Sequence, residues 1–136
     1  MFGFTGFDIG AYAEYTCVKE DSTVALAPAN ASDEDAAALL YGGLMALHYL
    51  RRGGLESGQR VLVYGASGAV GTAAVQLATH AGADVTAVCG PANADLVTSL
   101  GATLVLDYTG TDSLPPGMAF DLVLDAVGKR RGSAPA

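Results

Sequence analysis

Tryptophan is absent, and there are only two cysteines, Cys17 and Cys89. One pair of cysteines cannot form a disulfide framework, and without a C-x-x-C spacing there is no zinc-ribbon signature. Basic residues are scarce: seven Lys and Arg against 14 Asp and Glu leave a net charge of −7. From Val61 to Gly128 there is no Lys or Arg at all. So acidic a chain repels phosphate backbones and anionic headgroups, which argues against nucleic acid and membrane surfaces as partners. No apolar run approaches about 18 residues and no basic-then-apolar leader is evident, so a soluble, cytoplasmic protein is expected. Charged residues make up 15 % of the chain and hydrophobic ones 51 %, a balance that excludes an intrinsically disordered segment. The 136 residues suffice for one ordinary domain with a real core, not two.

Along the chain, residues 1–30 read differently from the rest. Ala11 to Val18 and Thr23 to Ala27 have the Tyr, Val and Thr content of short strands, bounded by Gly10 and by Glu20-Asp21-Ser22. Ser32 followed three residues later by Asp35 resembles a capping box, so a helix is expected from Ala36 to Leu40. A second helix is expected over Leu44 to Arg52, closed by Gly53-Gly54, with Arg51 and Arg52 suited to its negative end. Four apolar runs then alternate with helical stretches. The runs are Arg60–Tyr64, Asp84–Val88, Thr103–Leu106 and Phe120–Leu124; the helices between them are predicted at Ala69–Ala81 and about Asn93–Leu100. Nearly all-apolar strands separated by helices predict an α/β fold, a parallel sheet covered on both faces and doubly wound. Residues 31–128 form that unit, and the tail 129–136 is expected to be disordered.

The most informative stretch is VLVYGASGAVG, Val61 to Gly71. Gly65, Gly68 and Gly71 sit three apart where an apolar strand turns into a helix. A dinucleotide's pyrophosphate must approach a helix N-terminus, where unpaired N–H groups and the helix dipole favour anions, and a Cβ at closest approach would block it. A glycine-rich turn is the plain alternative, and the strand–loop–helix context favours nucleotide binding over it. An NAD site usually carries an acid at the end of the second strand, for the ribose 2′-hydroxyl. Here Cys89-Gly90-Pro91-Ala92-Asn93 stands there, with no acid before Asp95. The basic clamp expected for a 2′-phosphate is missing too, but Gly90, Asn93 and the Tyr108 hydroxyl can offer neutral hydrogen bonds. NADP(H) is therefore weakly preferred over NAD(H).

These residues resemble the medium-chain dehydrogenase/reductase superfamily, in its zinc-independent quinone oxidoreductase-like branch. The stretches that carry the resemblance are GAYAEY (Gly10 to Tyr15), AAALLYGGLMALHYL (Ala36 to Leu50), SGQRVLVYGASGAVGTAAVQLA (Ser57 to Ala78), LVTSLGA (Leu96 to Ala102), VLDYT (Val105 to Thr109) and FDLVLDAVGK (Phe120 to Lys129). The resemblance implies a Rossmann-type coenzyme domain, partial here, with residues 1–30 as a short β remnant of a GroES-like substrate domain. It implies hydride transfer between NAD(P)H and a quinone, enone or carbonyl/alcohol substrate, without zinc. Carried over position by position, Ser67, Gly68, Ala69 and Val70 resemble the pyrophosphate loop. Gly90 and Asn93, with Tyr108 beside them, resemble the adenosine-ribose pocket, and Ala126, Val127 and Gly128 the turn that approaches the nicotinamide. Met45 stands where relatives often have Thr, and Ala92 where NADP-preferring ones often carry Arg. Relatives are more than twice as long, so a fragment is expected, and no residue is assigned as the catalytic acid.

Other constellations read as structural. Tyr15 and Lys19 have the Tyr-x-x-x-Lys spacing of short-chain reductases but precede the nucleotide strand, so coincidence is the better reading. Gly65-Ala66-Ser67-Gly68-Ala69 lacks the last glycine of a hydrolase elbow. His48, His80 and Cys89 suit helix and core positions, and Asp33-Glu34-Asp35 an acidic first helical turn. No metal site is expected. Two alternatives remain: a catalytically inactive nucleotide- or partner-binding fragment, and an atypical short-chain reductase, against which the sixty residues before Val61 speak. The strand at Phe120–Leu124 would form an open apolar edge able to pair with another chain, giving dimers or aggregates. Size-exclusion chromatography over a range of concentrations checks this, and a clean monomer throughout contradicts it.

Overall fold

The computed structural model describes residues 1–3, 11–109, 114–115 and 117–128. Gly10, Pro116 and the predicted disordered tail lie outside them. The chain divides into two compact units, Met1–Tyr41 and Gly42–Ala136. In the first, β1 (Phe2–Gly3) pairs antiparallel with β2 (Val24–Ala25). The strand expected over Ala11–Val18 is absent: those residues are exposed and form no ladder, and Thr23–Ala27 contributes only its central pair. Tyr and Val suit a strand only where a partner edge exists, and the partner of β2 is Phe2–Gly3.

One helix, α1 (Asp33–Arg52), replaces the two expected. Ser32 Oγ accepts the Asp35 N–H at 3.1 Å, as the capping box requires, and Asp33, Glu34 and Asp35 form the first turn. Its last turn ends where Gly54 takes φ +70°. Gly42 lies inside the helix because a Cβ there would strike the main-chain carbonyl of Ala69, with the carbonyl carbon at 2.7 Å.

The second unit holds the parallel sheet. β3 (Arg60–Tyr64), α2 (Ala69–His80), β4 (Asp84–Cys89), a short 3₁₀ turn at Pro91–Asn93, α3 (Ala94–Ser99), β5 (Leu104–Asp107) and β6 (Leu122–Asp125) follow in order. Strand order is β5-β4-β3-β6, all parallel. The chain winds outward from β3 to β5 and then returns to the other side of β3. This is the 3-2-1-4 half of a Rossmann sheet, with its switch point between β3 and β6.

Val61, Leu62, Val63, Val85, Ala87 and Cys89 are buried in the two central strands, with Val75 and Ala78 of α2 and Leu50 of α1 in the core. Each fully buried Val or Leu contributes about 1.5–3 kcal/mol. The expectation of a sheet covered on both faces holds for β3 and β4, not for the outer strands. Leu104 of β5 is exposed and Val123 of β6 is 56 % exposed, and among the described residues no strand lies outside either of them. Asp121 fastens the start of β6 to β3. Its Oδ2 accepts the Arg60 N–H at 2.8 Å and faces the Arg60 guanidinium at 3.6 Å. That main-chain bond holds the Asp121 carboxyl below the usual carboxylate range; slight burial opposes it and the guanidinium reinforces it.

Candidate functional site

Every residue singled out from the sequence as a nucleotide contact follows the carboxyl end of a parallel strand. Gly65 to Gly71 follow β3, Gly90 and Asn93 follow β4, Tyr108 follows β5, and Ala126 to Gly128 follow β6. At a switch point these ends open onto a common crevice, the place where open α/β sheets hold ligands.

The glycine loop is built from its own main chain. Gly65 and Ala66 both donate their N–H to the Val88 carbonyl at 3.0 Å, which ties the loop to β4. Gly68 donates to Gly65 O at 3.0 Å, so the value of Gly68 lies in its missing side chain and not in its donor. Thr72 closes the first helical turn, donating its N–H at 2.8 Å and its hydroxyl at 3.0 Å to Gly68 O.

Each glycine has a distinct reason. Gly65 has φ +72°, and a Cβ on it would occupy the place of Val127 Cγ2. Gly71 is buried, and a Cβ there would meet Gly65 O, with Ala66 Cα at 2.6 Å. Gly68 is different: it is exposed, and a Cβ would meet only Gly65 O, at 3.4 Å. It is the N-cap of α2, extended at φ −83° and ψ 172°, and no side chain caps the helix. The first-turn N–H groups of Ala69, Val70 and Gly71 have no acceptor within the helix. An exposed, bare N-cap beside these donors fits a pyrophosphate.

At the end of β4, the Tyr108 ring covers Gly90, with its hydroxyl 3.4 Å from where a Cβ would sit. Asn93 donates its N–H to Gly90 O at 3.0 Å, and its exposed side chain caps nothing in the short helix that follows. One strand further out, Asp107 turns its carboxylate back onto the Thr109 N–H at 2.7 Å and hydroxyl at 2.8 Å. Cys89 is buried; burial and, secondarily, the Asp107 charge push its thiol above the ordinary range, so it is a packing residue. A groove of about 350 Å³ runs along β6, lined by Tyr49, Arg52, Gly53 and Leu122 to Asp125, and includes no residue of the glycine loop. His48 and His80 are exposed, and among the described residues no group of three or more His, Cys, Asp or Glu could hold a metal ion. Sequence reasoning overlooked Gly42 and Asp125. An Asp two residues before Val-Gly at a strand end is a recognisable turn former.

Fold and loop together define a Rossmann-type half-sheet with a dinucleotide-style glycine loop. A family model described as zinc-binding dehydrogenase matches residues 69–134. The chain is 41 % identical over 124 residues to 2-methylene-furan-3-one reductase of Solanum lycopersicum, covering 88 % of this chain and 31 % of that protein. Among solved structures, the quinone oxidoreductase of Coxiella burnetii superposes with TM-score 0.76 at 32 % identity, over 87 % of this chain and 37 % of that one. The quinone oxidoreductase of Thermus thermophilus, solved also with NADPH, gives 0.58 at 29 % identity, over 72 % and 47 %. This chain belongs to the medium-chain dehydrogenase/reductase superfamily and is quinone oxidoreductase-like. The family binds NAD(P)H. The chain spans about a third of the length of the curated relatives it matches. Among the described residues no helix is long and apolar enough to cross a membrane.

Proposed function

We propose that the chain is the NAD(P)H-holding part of an oxidoreductase that moves hydride between nicotinamide and a quinone, an enone or a carbonyl/alcohol. The observation that carries this reading is the exposed glycine N-cap of α2, with only Gly65 O, at 3.4 Å, near where a Cβ would stand and no side chain on the helix end. Ser67, Gly68, Ala69 and Val70 would hold the pyrophosphate, with Gly65 and Gly71 shaping the loop. Gly90, Asn93 and Tyr108 would border the adenosine ribose, and Ala126, Val127 and Gly128 would meet the nicotinamide. Bound nicotinamide supplies the hydride chemistry, and the protein's part is to orient it. A ribose pocket without an acid at the end of β4 favours NADP(H), with neutral hydrogen bonds in place of a basic clamp.

A thermal-shift titration with NADPH, NADH and 2′-phospho-AMP tests the reading. At 100 times Kd a ligand adds about 2.7 kcal/mol, or about 8 °C for a chain of this size. NADPH and 2′-phospho-AMP are expected to shift the transition and NADH to leave it near its unliganded midpoint. No shift with any of them overturns the proposal. An assay of NADPH oxidation with simple quinones then separates an active enzyme from a binding module that holds the nucleotide without turnover.

A further inference from the structure

The segment that forms β6 is a palindrome: Asp121-Leu122-Val123-Leu124-Asp125 reads the same in both directions about Val123. In the ladder Tyr64 lies opposite Asp125, and the Ala126 N–H bonds the Tyr64 carbonyl at 3.0 Å. The alternation of a parallel ladder therefore turns the main-chain groups of Leu122 and Leu124 toward β3 and those of Val123 away from it. Val123 is also the most exposed apolar side chain in the four parallel strands, at 56 %. Leu122 and Leu124 point to the opposite face, where both pack on the core. The groove lined by Tyr49, Arg52, Gly53 and Leu122 to Asp125 leaves about 350 Å³ of open space beside the strand. In the full strand order 3-2-1-4-5-6 the fourth strand has a neighbour on each side. Among the described residues β6 has only β3.

We infer that in the 136-residue chain β6 pairs antiparallel with β6 of a second copy, about a two-fold axis through Val123. A two-fold contact is self-complementary: if one residue meets another, the reverse contact is made as well. The palindrome meets that condition with apolar pairs throughout its centre. Leu122 stands against Leu124 of the second copy, Leu124 against Leu122, and the two Val123 residues exchange both of their free main-chain hydrogen bonds. The ends are the unfavourable part, because Asp121 of one copy stands opposite Asp125 of the other, and like charges directly opposite are destabilising. Both carboxylates are already engaged. Asp121 Oδ2 holds the Arg60 N–H at 2.8 Å and the guanidinium at 3.6 Å, and Asp125 Oδ1 accepts the N–H of Val127 at 2.9 Å and of Gly128 at 3.0 Å. Those contacts blunt the repulsion without removing it, so salt strengthens the pairing. So short a pairing buries less than the about 1,200 Å² of stable complexes, which makes the dimer a weak one. β5 carries a similar run, Leu104 to Asp107, but it is the terminal strand of the order, an edge in the complete sheet too.

Sedimentation of the full chain across a wide concentration range, at low and high salt, tests the inference with wild type, Val123→Lys, Val123→Pro and Leu104→Lys. Wild type is expected to pass from monomer to dimer and stop there, with the dimer favoured by salt. Val123→Lys sets two cations against each other on the axis and is expected to weaken the dimer at least about tenfold. Val123→Pro removes both hydrogen bonds at the axis and is expected to abolish it, while the ladder to β3 survives because that N–H points away from β3. Leu104→Lys, on the other edge, is expected to dimerise as wild type does. Amide exchange of the wild type gives a second readout that needs no variant to fold: Val123 N–H protection is expected to rise with concentration and Val105 N–H protection to stay constant. A wild type that is monomeric throughout overturns the inference, as does growth beyond a dimer. A dimer indifferent to both Val123 substitutions, or one lost in Leu104→Lys, places the contact elsewhere and overturns it too.

Discussion

Gly71→Ala lowers the stability of the folded chain by about 3 kcal/mol, read as a fall in the urea midpoint at constant m. The added methyl has nowhere to go. A Cβ at Gly71 would collide with Gly65 O and lie 2.6 Å from Ala66 Cα and 2.8 Å from Ala66 C. All three are main-chain atoms of the loop that ties β3 to β4 through Val88 O, so no side-chain rotation relieves the clash. Either α2 shifts away from the sheet, exposing Ala74 and Val75, or the loop gives up its hydrogen bonds. A Gly71→Ala variant with the wild-type midpoint would show that helix and strand do not pack this closely in solution.

Gly68→Asp has the opposite signature, separating stability from binding. Its φ and ψ are in the extended region and a Cβ meets only one atom, at 3.4 Å, so an aspartate fits without strain. Asp is among the best N-cap residues, and its charge complements the helix dipole; a gain of a few tenths to about 1 kcal/mol is expected. The same carboxylate takes the N–H groups a pyrophosphate would need and sets like charge against it. NADPH affinity is expected to drop at least about 100-fold. Parallel thermal melts and NADPH titrations check both halves. A variant that is more stable and still binds NADPH as wild type does would show that the ligand does not use this helix end.

How legible these features were depends on how local their causes are. β3, the glycine loop and α2 are written in one continuous stretch, an apolar run followed by glycines and an Ala-rich helix, and the strand Arg60–Tyr64 appears where the sequence predicts it. The other three parallel strands each end one residue later than the apolar runs suggest, at Cys89, Asp107 and Asp125. Two of those ends are acids, which a hydropathy reading assigns to loops. The ladder nevertheless includes them: Asp107 pairs with Cys89, and Asp125 with Tyr64. The strand edge is set by the neighbouring strand, not by the residue's own preference.

α1 shows the same principle in a helix. Gly42-Gly43 reads as a break because each glycine costs about 1 kcal/mol in a helix interior. That reading misses the close approach of Gly42 to the Ala69 carbonyl, made by a residue 27 positions away, which only a glycine permits. Ala11–Val18 failed in the other direction. Its Tyr and Val content suggests a strand, yet Tyr12 and Tyr15 are among the most exposed side chains, because β propensity produces no strand without an edge to pair with.

The sequence by itself determined what is local: the apolar strand, the glycine spacing, the capped and charged ends of α1, and the chemical class of ligand that a bare helix N-terminus suits. It also determined that no Lys or Arg stands between Val61 and Gly128. Only the tertiary structure decided that β6 lies beside β3, and therefore that Val127 closes on Gly65 and Asp125 caps the turn facing the loop. The physical reason is that a parallel pairing joins segments about 60 residues apart, whose register is set by mutual burial and hydrogen bonding. Neither segment carries that information alone.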